Sequence, residues 1–204
     1  MSRSGAGTKP VAVGVRRMPS SAVALSSTVF SFDIDLADSD RNVYEQLALR
    51  VARHPSESDE FLIARLLAYC LEYRAGIEFS RGLCDADDPP IAVRDLTGAL
   101  LAWIDVGTPA ADRLHRASKA APRVVVYVHK EHRQWLQQLA AAPIHRRDAL
   151  ELQAFDRAFV AGMAARLERR VSFALSIADR ELFASFSDAT VSGAITRLHL
   201  PRVD

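Results

Sequence analysis

Cysteine is scarce in this 204-residue chain. Cys70 and Cys84 are too few for a disulfide framework, and neither belongs to a C-x-x-C pair, so both read as free thiols of a reducing, cytoplasmic compartment. Lysine is scarcer than the charge suggests. Lys9, Lys119 and Lys130 are the only lysines among 26 basic residues, the rest being arginine, which reflects coding composition more than function. With 25 acidic residues opposing them the formal net charge is +1. That balance excludes a histone-like polycation and leaves room only for a local basic groove. No apolar run approaches the ~20 residues that span a bilayer, so no membrane helix is expected. The "SGAGT" of the tail lacks the Gly-Lys-Ser/Thr ending of a phosphate-binding loop. Repeats and low-complexity tracts are missing too.

What is present is the composition of an ordinary globular protein, 49% hydrophobic and 25% charged, of a length that suits one domain. Residues 1–24 carry four basic residues, no acid and only the short apolar "VAVGV". They read as a disordered N-terminal extension, with Met18 as an alternative start, rather than a signal peptide, which needs roughly 7–15 continuous apolar residues. The domain is then expected over 25–204.

Period-two alternation through "STVFSFDIDLAD" predicts a strand, and "DRNVYEQLALRVAR" after it is expected to be a helix capped by Asp38 or Ser39. Pro55 is expected to open a second, buried helix with Ser56, Glu57, Asp59 and Glu60 at its N-terminus, ending near Gly76. "IEFSRGL" is a short strand, and "IAVRDLTGALLAWIDVG" a hairpin turning at Thr97-Gly98. "TPAADRLHRASKAA" is a helix opening with Thr108 and Pro109, and "PRVVVYVHK" a strand apolar on both faces, as in a parallel arrangement. "HRQWLQQLAAA" and "DRAFVAGMAARLERR" read as helices. "ALELQAF", "VSFALSIA", "ELFASFSD" and "SGAITRLHL" read as strands. From residue 55 the order is α-β-β-β-α-β, and the class is α/β with a mixed central sheet flanked by helices.

One residue is out of place in this pattern. Asp105, in "ALLAWIDVGTP", lies in an apolar strand on the same side as Leu101 and Trp103. An ionised carboxylate avoids such a position unless a partner offsets its desolvation. With the hairpin turning at 97–98, residue 105 faces residue 90, so Asp88 lies just beyond the end of the ladder. Two carboxylates meeting at a sheet edge need a proton or a cation between them. Mg²⁺ asks for one or two carboxylates and keeps several waters. Glu57 or Glu60 at the start of the buried helix offers a third acid. The alternative is that Asp105 caps the following helix or pairs with an arginine.

The element order, with acids at these two places, resembles the PD-(D/E)XK nuclease-like fold. The wording "LADSDRNVYEQLALRVARHPSESDEFLIARLLAYCL", "FSRGLCDADDPP" and "WIDVGTP" is similar to the YaeQ family of small bacterial proteins over most of residues 26–190. "RHPSE", "RLLAY", "RGLC" and "WIDVG" in this order carry the likeness. The resemblance implies a restriction-endonuclease-like core with additional C-terminal strands, but no established reaction. Mapped onto this chain it implies Asp88 as the first metal-binding acid, with Asp87 and Asp95 as rivals. Asp105 would be the second, and Glu60 the assisting glutamate.

The chain departs from a working nuclease at Gly107, two residues after Asp105, where the fold usually carries a lysine that activates water. His115, Arg116 and Lys119 share a face of the next helix, but arginine stays protonated and takes no proton from water. Arg116 or Lys119 would instead face a phosphate. Arg113, Arg123, Arg53, Arg81 and Arg94 flank the same elements and suit a phosphodiester backbone. The leading expectation is therefore Mg²⁺- or Mn²⁺-dependent phosphodiester chemistry on nucleic acid. The rival is a degenerate nuclease fold with a binding or regulatory role, its acids paired to Arg81 or Arg116. A third reading, association through exposed C-terminal strands, rests only on their edge potential. The "HKEH" at 129–132 lacks a third ligand at zinc-like spacing and reads as a solvated helix start.

Overall fold

The computed structural model describes residues 27–80 and 88–201. The extension at 1–24, and with it Arg81, Cys84 and Asp87, lies outside the described residues. Strand β1 (Thr28–Asp38) follows its alternation, with Phe30, Phe32, Ile34 and Leu36 buried and Asp33 and Asp35 exposed.

The next segment corrects the sequence reading. Val43–Arg53 is a strand, β2, not a helix, and it pairs antiparallel with β1 from Thr28↔Arg53 to Asp38↔Val43. Helix-competent residues lose here to tertiary context. Leu47, Leu49 and Val51 recur at period two, and the long ladder with β1 buries that face. The turn closes because Asn42 accepts a φ of 56° and Asp38 takes hydrogen bonds from the Arg41 N–H (3.1 Å) and Nε (2.6 Å).

Helix α1 (Asp59–Leu71) begins later than Pro55 predicts: Ser58 is the cap, its oxygen accepting from the Phe61 N–H at 3.2 Å. Its residues Leu62 to Cys70 are all buried, so this helix lies inside the main core and not on a surface. The elements that follow are β3 (Ile77–Phe79), β4 (Ile91–Arg94), β5 (Leu100–Val106), α2 (Ala111–Ala120), β6 (Arg123–Val128) and α3 (Arg133–Ala141). Then come β7 (Glu151–Phe155), α4 (Arg157–Ala164), β8 (Arg170–Ala178), β9 (Glu181–Ser185) and β10 (Thr190–Leu198). The order α-β-β-β-α-β from α1 to β6 matches expectation. Helix α2 starts three residues beyond Thr108 with Ala110 at its cap, and α4 ends at Ala164, short of the predicted run.

The ten strands of the described residues form one mixed sheet in the order β2-β1-β8-β9-β10-β7-β6-β5-β4-β3. Strands β5, β6 and β7 are parallel, and β6 is buried on both faces as its composition predicts. Strand β10 joins the halves by pairing with β9 through its first residues and with β7 through its last. Gly193 permits this, since a Cβ there would stand 2.4 Å from the Phe159 Cβ of α4. The C-terminal strands are therefore interior, and the edges are β2 and β3, which removes the edge argument for association through β8–β10.

Side chains alternate across β5, and this divides the core. Ala102, Ile104 and Val106 join α1 and α4 in one cluster. Trp103 joins Leu114, Ala117, Trp135 and Leu139 of α2 and α3 in the other. No helix among the described residues is long and apolar enough to cross a membrane.

Candidate functional site

Asp105 leaves β5 on the Trp103 side and is 3% exposed. The register Ile91↔Ile104 places residue 90 opposite it, as the hairpin reading requires. The cation beside it is Arg113, from the first turn of α2. Arg113 Nε donates to Asp105 Oδ2 at 2.8 Å, and the Trp103 Nε1–H donates to the same oxygen at 2.9 Å. Arg113 also donates from Nη2 to the Asp88 carbonyl at 3.0 Å and lies over the Trp103 ring at 5.2 Å. A planar guanidinium with several fixed donors is suited to bridging two such acceptors. The arginine alternative thus describes this geometry, with Arg113 as a partner of Asp105.

The other predicted ligands are placed differently. The Asp88 carboxylate faces Arg94 at 3.7 Å. Asp95 closes its own turn, accepting from the Thr97 N–H (2.8 Å), the Thr97 hydroxyl (2.6 Å) and the Ala99 N–H (3.0 Å). Glu60 belongs to α1, which packs on the Ile104 and Val106 face, opposite to Asp105. Among the described residues no three His, Cys, Asp or Glu side chains form a group able to hold a metal ion. Gly107 has a φ of 88°, and its N–H donates to the Tyr127 carbonyl at 2.9 Å. A lysine at this position would need a strained left-handed backbone, which explains why the usual residue is missing.

The basic residues are largely committed elsewhere. Arg123 grips Glu72 (2.5 Å) and Glu151 (2.7 Å), and the Tyr127 hydroxyl donates to Glu72 at 2.8 Å. Arg53 pairs with Asp59, and Arg94 with Glu78 at 3.0 Å. A ring nitrogen of His115 sits 3.0 Å from the Pro143 carbonyl oxygen. Arg116 and Lys119 are exposed on the outer face of α2. Cys70 is buried, and burial pushes its thiol up to about 12, so it is no nucleophile.

Glu60 opens onto something the sequence reading missed. It lines a cleft of about 670 Å³ together with Ser58, His129, Lys130, Arg157 and Val160. His129 is not a solvated helix start: it directly follows β6, is 5% exposed, and stacks edge-on against Phe61 at 5.8 Å. Among the described residues neither ring nitrogen has a hydrogen-bond partner. Burial, assisted by Lys130, pushes its imidazole down to about 4 against the opposing pull of Glu60. The signal in the sequence is the position of His129, directly after a run of apolar residues that forms a central parallel strand. In open α/β sheets, ligands gather at such carboxyl ends.

A mixed α/β sheet protein with these motifs belongs to a recognisable class. The model of the YaeQ family, described as YaeQ protein, matches residues 23–195. The chain belongs to that family. It is 34% identical over 107 residues to the YaeQ proteins of Escherichia coli K12 and Shigella flexneri; the match covers 52% of this chain and 59% of theirs. The chain thus spans less than two thirds of the length of these relatives. Among solved structures it is similar to the YaeQ protein from Xanthomonas axonopodis pv. citri, at a TM-score of 0.79 and 30% identity, covering 86% of this chain and 100% of that one. The YaeQ protein from Pseudomonas syringae gives 0.78 and 30%, covering 85% and 96%.

Proposed function

We propose that this chain is a degenerate relative of the PD-(D/E)XK nuclease-like fold with a binding or regulatory role, its acid pair wired as a structural ion pair. The observation that carries this reading is the Arg113 guanidinium on Asp105, where a nuclease would hold Mg²⁺. The α-β-β-β-α-β order supports the fold assignment. The position of Glu60 on the other face and the backbone of Gly107 support the loss of catalysis. An arginine so placed neutralises Asp105 permanently, and a divalent cation would have to displace it and desolvate again.

The test is Mn²⁺ titration by calorimetry, wild type beside Asp105→Asn, followed by incubation with DNA and RNA in Mg²⁺. The expected result is no saturable Mn²⁺ site that depends on Asp105, and no cleavage that depends on it. Asp105-dependent Mn²⁺ binding, or cleavage lost in Asp105→Asn while the protein stays folded, would restore the Mg²⁺-dependent nuclease reading.

A further inference from the structure

The cleft at the carboxyl end of β6 is a second site, on the face of the sheet opposite to Asp105. Three elements meet there: the first turn of α1 with Ser58 and Glu60, the exit of β6 with His129 and Lys130, and the first turns of α4 with Arg157 and Val160. The cleft is of a size that takes a small organic ligand.

Its polar groups are unevenly satisfied. The Glu60 carboxylate is drawn back onto α1 by its own backbone N–H and by the Ser58 hydroxyl, which hold its acid below the usual range. Its negative charge therefore serves the N-terminus of that helix. Asp156 is likewise committed, accepting from the Phe159 N–H at 2.9 Å as the cap of α4. The Lys130 and Arg157 side chains make no hydrogen bond or ion pair among the described residues; Lys130 acts on Glu60, and Arg157 on the exposed Glu131, only through longer-range charge. Two cations thus project at a cleft whose acids are turned to other work.

His129 is the observation that points to a ligand. It is 95% buried and lines the cleft, and among the described residues neither ring nitrogen has a partner. Both nitrogens are closed to solvent as placed, so a ligand in the cleft meets them only after a small shift of the ring or its neighbours. A buried polar atom without a partner costs on the order of 1–3 kcal/mol, so native structures rarely keep one unless something else satisfies it. An uncharged imidazole beside Lys130, in a cleft that Arg157 also lines, matches the partially protonated oxygens of a phosphate group. The cations balance its charge, and the ring offers a neutral donor to one oxygen and an acceptor to a P–OH.

We propose that this cleft binds a phosphomonoester, with Lys130 and Arg157 on the phosphate and the His129 ring shifting to hydrogen-bond to it. The site does not depend on the acid pair, and stands whether or not Asp105 binds metal.

The experiment titrates the full chain with inorganic phosphate and with ribose 5-phosphate at pH 7 and constant ionic strength. Calorimetry gives the affinity, and ¹⁵N NMR of the histidine rings reports on His129. Saturable binding in the millimolar range or tighter is expected. It should weaken about tenfold or more in Lys130→Ala combined with Arg157→Ala, both exposed positions whose loss leaves the fold intact. The His129 ring signals should move in step with binding. A chloride titration at matched ionic strength should leave them still. Tighter binding of ribose 5-phosphate than of phosphate assigns the site to a phosphorylated organic ligand, and equal binding assigns it to the phosphate group alone. Absence of saturation, binding indifferent to the double substitution, or His129 signals that stay fixed while phosphate binds would each overturn the proposal.

Discussion

The two faces of the central parallel strands handle a buried polar residue in opposite ways. On one face Asp105, 3% exposed, is held by Trp103 and Arg113. On the other His129, 5% exposed, has a partner on neither nitrogen among the described residues. The first arrangement is closed: strand and following helix supply both the charge and its counter-charge, eight residues apart. The second is open, because the charged groups that share its cleft are two cations and a glutamate already bound to its own helix end. A buried group with its partners in place is evidence about folding. A buried group without them is evidence about what arrives later.

The contrast breaks most visibly at Arg113. Arg113→Ala leaves the buried Asp105 without its counter-charge, and should cost about 3–5 kcal/mol in urea unfolding. The double replacement Arg113→Leu with Asp105→Leu removes both charges and should restore most of that loss. A nuclease centre behaves differently: removing Arg113 would free Asp105 for Mn²⁺. Tight Mn²⁺ binding by a well-folded Arg113→Ala protein would therefore show that the arginine guards a metal site rather than replaces one.

The open face is probed by pH. The His129 imidazole is pushed down to about 4 in the folded chain, against an unfolded value of 6.5. The unfolded state then binds more protons between those values, so stability is complete above pH 6.5 and is lost as pH falls toward 4. The loss should amount to roughly 1–3 kcal/mol after solvent screening, measured as the urea midpoint from pH 7 to pH 4. His129→Phe should flatten that slope, and an unchanged slope in the variant would place the titrating group elsewhere. Bound phosphate favours the charged imidazole, so it should raise the His129 value and make the wild-type dependence shallower.

Much of the molecule was legible from period and turn chemistry. The alternation in β1, the apolar run of β6 and the Thr97-Gly98 hairpin turn all predicted the elements that form, and the hairpin register placed residue 90 opposite Asp105. The failure at β2 has a physical source. Its charged and alanine positions satisfy a helix locally, and only the long ladder with β1, closed by Asn42 at positive φ, selects the strand. In the site, the burial of Asp105 was readable from its neighbours. Its partner was not, because six arginines and a lysine flank the same elements in the sequence and only the helix phase of α2 selects Arg113. His129 was passed over because its exposed neighbours Lys130 and Glu131 disguised a side chain that turns inward at the strand end.

The smallest effect separates the two faces most cleanly. Ser58 caps α1 through the Phe61 N–H and also anchors the Glu60 carboxylate, so it belongs to the open face alone. Ser58→Ala should lower stability by about 1 kcal/mol, the ordinary cost of a lost cap. It should also let the Glu60 acid rise toward its usual range, visible in a ¹³C carboxyl titration, because one of the hydrogen bonds holding it down is gone. A released carboxylate is then free to compete for Lys130, so phosphate binding should weaken by a few-fold while the Asp105–Arg113 coupling energy, measured by the double-mutant cycle, stays as it was. If that coupling changed as well, the two faces would not be independent. The closed pair and the open cleft would then be halves of one site reaching across the sheet end.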